Sequence, residues 1–304
     1  MAIITPALVT SLRTGFSKAF QDALTNTPTD WERIATRVPS TSASNTYGWL
    51  NQFPKLMEWV GDRVVKDMAA QAYQVQNKLF EATVGVKRTD IEDDNVGVYT
   101  PLFAEMGRAA AAHADELVYN LLAAGDTSLC YDGQNYFDVD HPVYPNVDGT
   151  GTPTLVSNYN NGGASPGQAW YLLDCSRALK PLIFQERTKP ELESMTATND
   201  EGVFVRDEYR YGVRYRCNAG FGFWQLAYKS KAELNDVNFN AAYTAMMQVK
   251  ADGGRPMGIK PTHLVVPPSL RASAIALIEA QLTTGGASNP NYKAVEVIVS
   301  PWLS

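Results

Sequence analysis

Apolar residues recur every four positions at the start of the chain, where Leu8, Leu12, Phe16, Phe20 and Leu24 form one line with Ala19 and Ala23 beside them. The stripe predicts an amphipathic helix that ends near the Thr27-Pro28 step. An isolated helix of this size is marginal in water, so it either packs on the body or docks as an arm. Between Trp31 and Asp94 the period shortens to two. The run KLFEATVGVKR sets Phe80, Ala82, Val84 and Val86 against Glu81, Thr83, Gly85 and Lys87, which is the alternation of a half-buried strand. Ahead of it, KLMEWVGDRVVKDMAAQAY mixes Leu56, Met57, Trp59, Val60, Val64, Val65 and Met68 with closely spaced charges. Those apolar side chains have no clear place inside a fold of their own.

A long helix follows from about Tyr99 to Ala124. Thr100 is its expected cap and Pro101 its expected first residue. Leu102, Phe103, Met106, Ala110, His113, Leu117 and Leu121 share one face, and Gly125 is the expected left-handed stop. At 1.5 Å per residue it measures roughly 35 to 40 Å, the length of a strut. Beyond a Gly/Asn/Ser-rich loop at Asn146 to Gly167, AWYLLDCSRALKPLIFQER and VFVRDEYRYGVRYRCNAGFGFWQLAYKS read as strands, the second as long paired strands broken only by glycine. The C-terminal part alternates a helix at Phe239 to Val249, the strand HLVVPP, a helix from Ser269 to about Leu282 and the strand VEVIVS. No repeat recurs at a fixed period.

The chain has 304 residues, 45% hydrophobic and 19% charged, enough apolar content for one large or two ordinary globular domains. Its formal net charge of -6 argues against a basic stripe that grips nucleic acid. No run approaches the roughly 18 to 20 apolar residues of a membrane helix, and the first twenty residues lack the pattern of a secretory signal, which predicts a chain that stays in the cytoplasm at synthesis. Cys130, Cys175 and Cys217 are too widely spaced for a Cys-x-x-Cys clip and read as reduced core residues.

Candidate chemistry concentrates in YDGQNYFDVDHP, residues 131–142. Asp138, Asp140 and His141 are possible metal ligands, but the other histidines, His113 and His263, sit on a helix face and before a strand and supply no second ligand pair. The alternative is a bend: Asp132-Gly133 makes a tight turn, Asp140 accepts backbone amides, and Pro142 pushes His141 into an extended conformation. The acidic run Asp90 to Asp94 offers calcium-binding oxygens, or else a solvated or intersubunit charged face. There is no Gly-x-Ser-x-Gly elbow, and NAGFGF and TTGGAS lack the residues of a phosphate loop.

Taken in order over nearly the whole chain, five phrases resemble the major head subunit of Mu-type tailed bacteriophages. They are KLFEATVGVKRTDIEDD, TPLFAEMGRAAAAHADELVYNLLAAG, YDGQNYFDVDHP, GRPMGIKPTHLVVPPSLRASA and NPNYKAVEVIVSPWL. The resemblance implies an α+β chain with the Hong Kong 97-like phage capsid fold. It would comprise an N-terminal arm at 1–37, an extended β-hairpin loop at 38–88, a peripheral domain with a spine helix at 89–126 and 168–230, and an axial domain at 127–167 and 231–304. It further implies a structural major capsid protein, not an enzyme, with no cofactor and no metal.

Such a subunit is expected to self-assemble into hexamers and pentamers of an icosahedral shell, and to hold double-stranded DNA without sequence readout. A scaffolding protein, a portal and a decoration protein are the expected partners, with no membrane; the virion is its destination and the host cytoplasm its place of assembly. Within the extended loop, Trp49, Phe53, Met57 and Trp59 are the expected intersubunit contacts. The segment WYLL to VRDEYRYGV stands earlier than in many similar chains, which implies a permuted order. Bacterial encapsulin compartments share the architecture, so a nanocompartment shell, and more remotely a metal-dependent hydrolase, stand as alternatives.

Overall fold

The computed structural model describes residues 5–51, 73–93, 96–147, 149–197, 199–283 and 285–303. Helix α1 (Pro6–Asn26) starts as its first residues dictate: Thr5 Oγ1 accepts the Leu8 N–H at 3.2 Å, and Pro6 needs no amide hydrogen in the first turn. The short helix α2 (Trp31–Ile34) leads into β1 (Ala35–Pro39), and a ladder of β2 (Ser44–Tyr47) against β3 (Tyr73–Gln76) follows. Next come β4 (Lys78–Lys87), α3 (Arg88–Glu92) and the spine helix α4 (Tyr99–Ala123).

The rest of the chain supplies β5 (His141–Val143), β6 (Thr154–Val156), β7 (Tyr159–Asn160), β8 (Trp170–Leu173), β9 (Leu182–Met195), α5 (Glu201–Arg206), β10 (Glu208–Phe221) and β11 (Ala227–Ser230). It closes with α6 (Asp236–Met247), β12 (Lys250–Ala251), β13 (Arg255–Pro256), β14 (His263–Val266), α7 (Arg271–Ile278) and β15 (Glu296–Val299). Among the described residues no helix is long and apolar enough to cross a membrane.

Two sheets organise these elements. The first has the order β1-β9-β10-β4, with β10 antiparallel to both neighbours and β1 parallel to β9. Its inner face is the alternate set Tyr209, Tyr211, Val213, Tyr215 and Cys217, all buried. Its outer face carries charge: Arg214 stands between Glu191 and Glu81 on the flanking strands, an opposite-charge row of the kind worth about 0.2–1 kcal/mol per pair. The second sheet has the order β15-β14-β8-β11-β7. All four residues of β8 are buried, as expected of a central strand covered on both faces. Segment 168–230 is therefore shared: β9 and β10 lie in the first sheet, while β8 and β11 pair with β14, β15 and β7 in the second.

Several expectations need correction. Helix α4 starts at Tyr99 with Val98 as its cap residue and no capping side chain, because a 3-10 turn at Val96–Val98 runs straight into it. Thr100 therefore lies inside the helix and Leu102 is exposed. Gly125 is not a left-handed stop. It makes room for a ring, since a Cβ there would stand 2.6 Å from Phe137. The buried stripe runs through Phe103, Met106 and Gly107 and then Ala114, Val118 and Leu122, one position on from the expected His113, Leu117 and Leu121, which are half-buried. It turns because the two halves of α4 meet different partners. Phe103 and Met106 pack with α1 and the first sheet, whereas Ala114, Val118, Tyr119 and Leu122 join the main core with Trp31, Phe184 and Trp170. Val203–Arg206, expected as the start of a strand, instead belong to α5, which ends at Asp207 in the left-handed region (φ 54°).

The seat of α1 is specific. Phe16 stacks on Phe103 with ring centroids 4.4 Å apart and meets Tyr211 edge-on at 5.5 Å. At Gly107 the helices touch backbone to backbone: a Cβ there would lie 2.3 Å from the Phe20 carbonyl oxygen. Replacing Gly107 by valine should therefore lower stability by about 1–3 kcal/mol and expose α1 to protease. A variant with the wild-type melting temperature and cleavage pattern would show that α1 does not depend on this approach.

Candidate functional site

Besides the acidic run, two regions of the sequence carried candidate chemistry or contact, and the structure treats them differently. In the first, residues 131–142, the Asp132 carboxylate is the organising group. Its Oδ1 accepts the Cys130 thiol at 3.0 Å and the Gln134 N–H at 3.1 Å, while Gly133 takes φ 87° to close the turn. Its Oδ2 lies 2.7 Å from His141 Nδ1. His141 is fully buried and stacks on Trp224 at 4.0 Å with an interplanar angle of 6°.

Burial alone would raise the Asp132 pKa, but the hydrogen bonds from His141 and Cys130 outweigh it and hold the group below its usual value. A carboxylate can only accept, so the Nδ1 atom carries the proton in this pair. Burial, together with the nearby Asp132 charge, pushes the Cys130 thiol up; a protonated, buried thiol is a poor nucleophile.

Of the three expected metal ligands, only His141 belongs to this cluster. Cys130, Asp132 and His141 bring one ligand atom each within 4.8 Å of one another; the Cys130 thiol and His141 Nδ1 both meet the Asp132 carboxylate, while the buried His141 Nε2 has no hydrogen-bond partner. Asp138 instead accepts the Asn135 N–H at 3.3 Å and the Val139 N–H at 2.7 Å. It thereby takes the amide-accepting role expected of Asp140, and its carboxylate raises the pKa of Asp140.

The neighbouring residues fasten the motif to the ends of β9 and β10. Tyr136 stacks on Phe221 at 4.3 Å and donates its hydroxyl to the Pro181 carbonyl at 2.9 Å. Asn158 bridges the Asp138 N–H (2.9 Å) and the Tyr136 carbonyl (2.9 Å). The arrangement is a hydrogen-bonded bend. In the acidic run, Asp90 accepts the Tyr99 hydroxyl and Glu92 pairs with Arg88 at 3.3 Å.

The second region is the extended loop. Trp49 falls in the 3-10 turn Gly48–Asn51, but its side chain, with Phe53, Met57 and Trp59, lies outside the described residues. The root of the loop is described and is firmly held. Tyr47 and Tyr73 face each other across the β2–β3 ladder. Buried Gln185 of β9 accepts the Tyr47 hydroxyl at 2.8 Å and donates to the Asn77 side chain at 2.8 Å and the Val75 carbonyl at 3.1 Å. Gly220 leaves room for Val75, which a Cβ would meet at 2.4 Å. Sequence reasoning did not single out Gln185, and its position in the run LIFQER, directly after three apolar residues, was the available signal.

Helix α1 seated on the long helix α4, a mixed sheet in which β9, β10 and β4 run antiparallel, a β2–β3 ladder rooted beside it and a second sheet with buried central strands together define a phage capsid fold of the Hong Kong 97 type. Over residues 9–303 the chain matches the family described as the Mu-like prophage major head subunit gpT, and it belongs to that family. It is 47% identical over 304 residues to the major capsid protein of Escherichia phage Mu, covering 99% of this chain and 100% of the relative. To the Mu-like prophage FluMu major head subunit of Haemophilus influenzae it is 51% identical over 309 residues, covering 100% of both.

A chain from the procapsid of bacteriophage JBD30 superposes with a TM-score of 0.88 at 64% identity, over 98% of this chain and 100% of that one. A chain of the bacteriophage JBD30 capsid gives 0.77 at 48% identity over 100% of both. The protein is thus a structural subunit of a phage head shell, resident in the virion capsid. That membership sets aside the nanocompartment and hydrolase alternatives. The curated relatives align from end to end in one order, so the permutation expected from the WYLL to VRDEYRYGV segment does not exist against them.

Two outcomes test the bend. Asp132 has its pKa lowered on folding, so its stabilisation is full above the unfolded value near 4 and is lost as pH falls through the folded value. Asp132→Asn should cost roughly 1.5–3 kcal/mol at pH 7 and progressively less on acidification, read as the gap in melting temperature from wild type. An equal gap at pH 3 and pH 7 would refute the ionised Asp132 carboxylate. Treatment with EDTA should leave the melting temperature unchanged; stoichiometric zinc in the purified protein that disappears with His141→Ala would show a metal centre instead.

Proposed function

We propose that this subunit builds an icosahedral shell from hexamers and pentamers, and that residues 38–88 reach over a neighbouring subunit with Trp49, Phe53, Met57 and Trp59 as the contact side chains. The observation that carries this reading is the root of the loop. Gln185, Tyr47 and Asn77 hold its two ends together on the first sheet, so the apolar segment between them is presented from a rigid base. Preorganisation of this kind lowers the entropy cost of a contact.

In this reading residues 1–37 form the arm, 89–126 with 168–230 the peripheral domain, and 127–167 with 231–304 the axial domain, with β8 and β11 crossing to the axial sheet. The shell encloses double-stranded DNA without sequence readout, and the net charge of -6 gives the packaged polymer little to adhere to. A scaffolding protein and a portal complete assembly. A capsid of bacteriophage JBD30 decorated with minor capsid protein trimers supports a decoration partner as well. The higher TM-score to the JBD30 procapsid chain than to the capsid chain supports reading the described conformation as that of the precursor shell.

Trp59→Ala tests the loop. The expected product is soluble, with the circular dichroism of wild type, and fails to close shells in electron micrographs or closes fragile ones. A misfolded subunit would instead place Trp59 in a core of its own chain, and shells of unchanged thermal stability would exclude any contact role.

A further inference from the structure

Two of the three most exposed large apolar side chains among the described residues stand next to each other on α5: Phe204 is 84% exposed and Val205 66%. Neither contributes to the fold of its own subunit at such exposure. Yet the segment that carries them is fixed. Val203, one residue earlier, is buried in the cluster of Phe16, Ile91, Phe103 and Tyr211. Both Val203 and Phe204 donate their N–H to the Asp200 carbonyl, and the Arg88 N–H is donated to the Asp207 carbonyl at 3.0 Å, tying α5 to the end of β4. Gly202 lies against the Arg210 side chain, which packs α5 onto the start of β10. Isolated exposed apolar residues are common, but a contiguous group held on a rigid support marks a contact.

We infer that Phe204 and Val205 form an apolar knob that inserts into a second copy of this chain during shell formation. The inference rests on the shell reading above, which makes copies of the chain the neighbours that every subunit meets. Charge decides how the copies meet. The two stretches that carry the knob, 87–93 and 200–208, hold seven carboxylates against three basic side chains. Knob against knob would bring like charges together, so the receiving surface is a different, more basic part of the neighbour.

The test uses the full-length chain in two forms. With Phe204→Ser and Val205→Ser together, the expected subunit keeps the wild-type circular dichroism and melting temperature but loses closed shells in negative-stain micrographs. Unchanged shells overturn the inference. So does a loss of subunit stability, since the side chains would then serve their own fold. A photo-crosslinking phenylalanine analogue at position 204 of assembled particles supplies the second readout. A covalent dimer of this chain, with the linked peptide outside 200–208, is expected. A 204-to-204 link, a link only to a decoration or scaffolding protein, or no link overturns the inference. A wild-type chain that forms no particles in the same preparation refutes the shell reading itself, and the knob with it.

Discussion

Helix α4 is the member on which the rest of the subunit is mounted, and three points along it bear the load. At Gly107 the absence of a side chain lets α1 lie against the helix backbone. Two turns later the buried Asp115 carboxylate accepts the Trp31 N–H at 2.7 Å and the Asp30 N–H at 3.0 Å, so a side chain of α4 caps α2 ahead of β1. Burial raises the Asp115 pKa and the two amides work against that rise. At the far end Lys229 of β11 donates to the Ala123 carbonyl at 2.8 Å and pairs with Asp126 at 2.9 Å, placing a cation where the helix dipole is negative. Burial lowers the Lys229 pKa, partly offset by Asp126. Arm, first sheet and second sheet are thus all indexed to one rigid rod.

The two sheets meet the remaining requirement, which is to carry load without closing the molecule off from its neighbours. The first sheet buries one face under α4 and leaves the other charged, while β4 runs along its edge with mostly exposed side chains. The central strands of the second sheet are buried on both faces, and Trp170, Leu172, Leu264 and Val265 belong to the main core. The motif at 131–142 joins them. Asp132 at its centre gathers the Cys130 thiol, the Gln134 N–H and His141 Nδ1, leaving His141 Nε2 and Asp140 Oδ1 without a hydrogen-bond partner, and Tyr136 stacks on Phe221 at the end of β10. Crowding of aspartate and histidine there serves geometry, because a bend buried this deeply must bring its own hydrogen-bond partners.

Much of this was legible along the chain. The four-residue stripe of α1, the strut-like length of α4, the alternation in β4 and the strand HLVV follow from the periodicities of helix and strand, which are local properties of the backbone. The Asp132-Gly133 turn was legible for the same reason, and the resemblance in five ordered phrases fixed the family. What those signals could not carry was any choice settled by a distant partner. The buried stripe of α4 turns midway because its two ends face different cores, and Gly125 is a space for Phe137 instead of a helix stop. The VFVR stretch becomes part of a helix with two exposed apolar residues, although its β-branched composition favours a strand, because Val203 is drawn into the cluster beneath α1. Cys130 and Asp132 replace Asp138 and Asp140 as partners of His141, since closure of the turn brings their polar atoms to the imidazole ring. Sequence by itself determined the elements, their order and the kind of protein they build, all set by spacing and residue type. Only the tertiary structure decided which faces are buried and which polar groups meet, because burial and pairing depend on contacts between residues scores of positions apart.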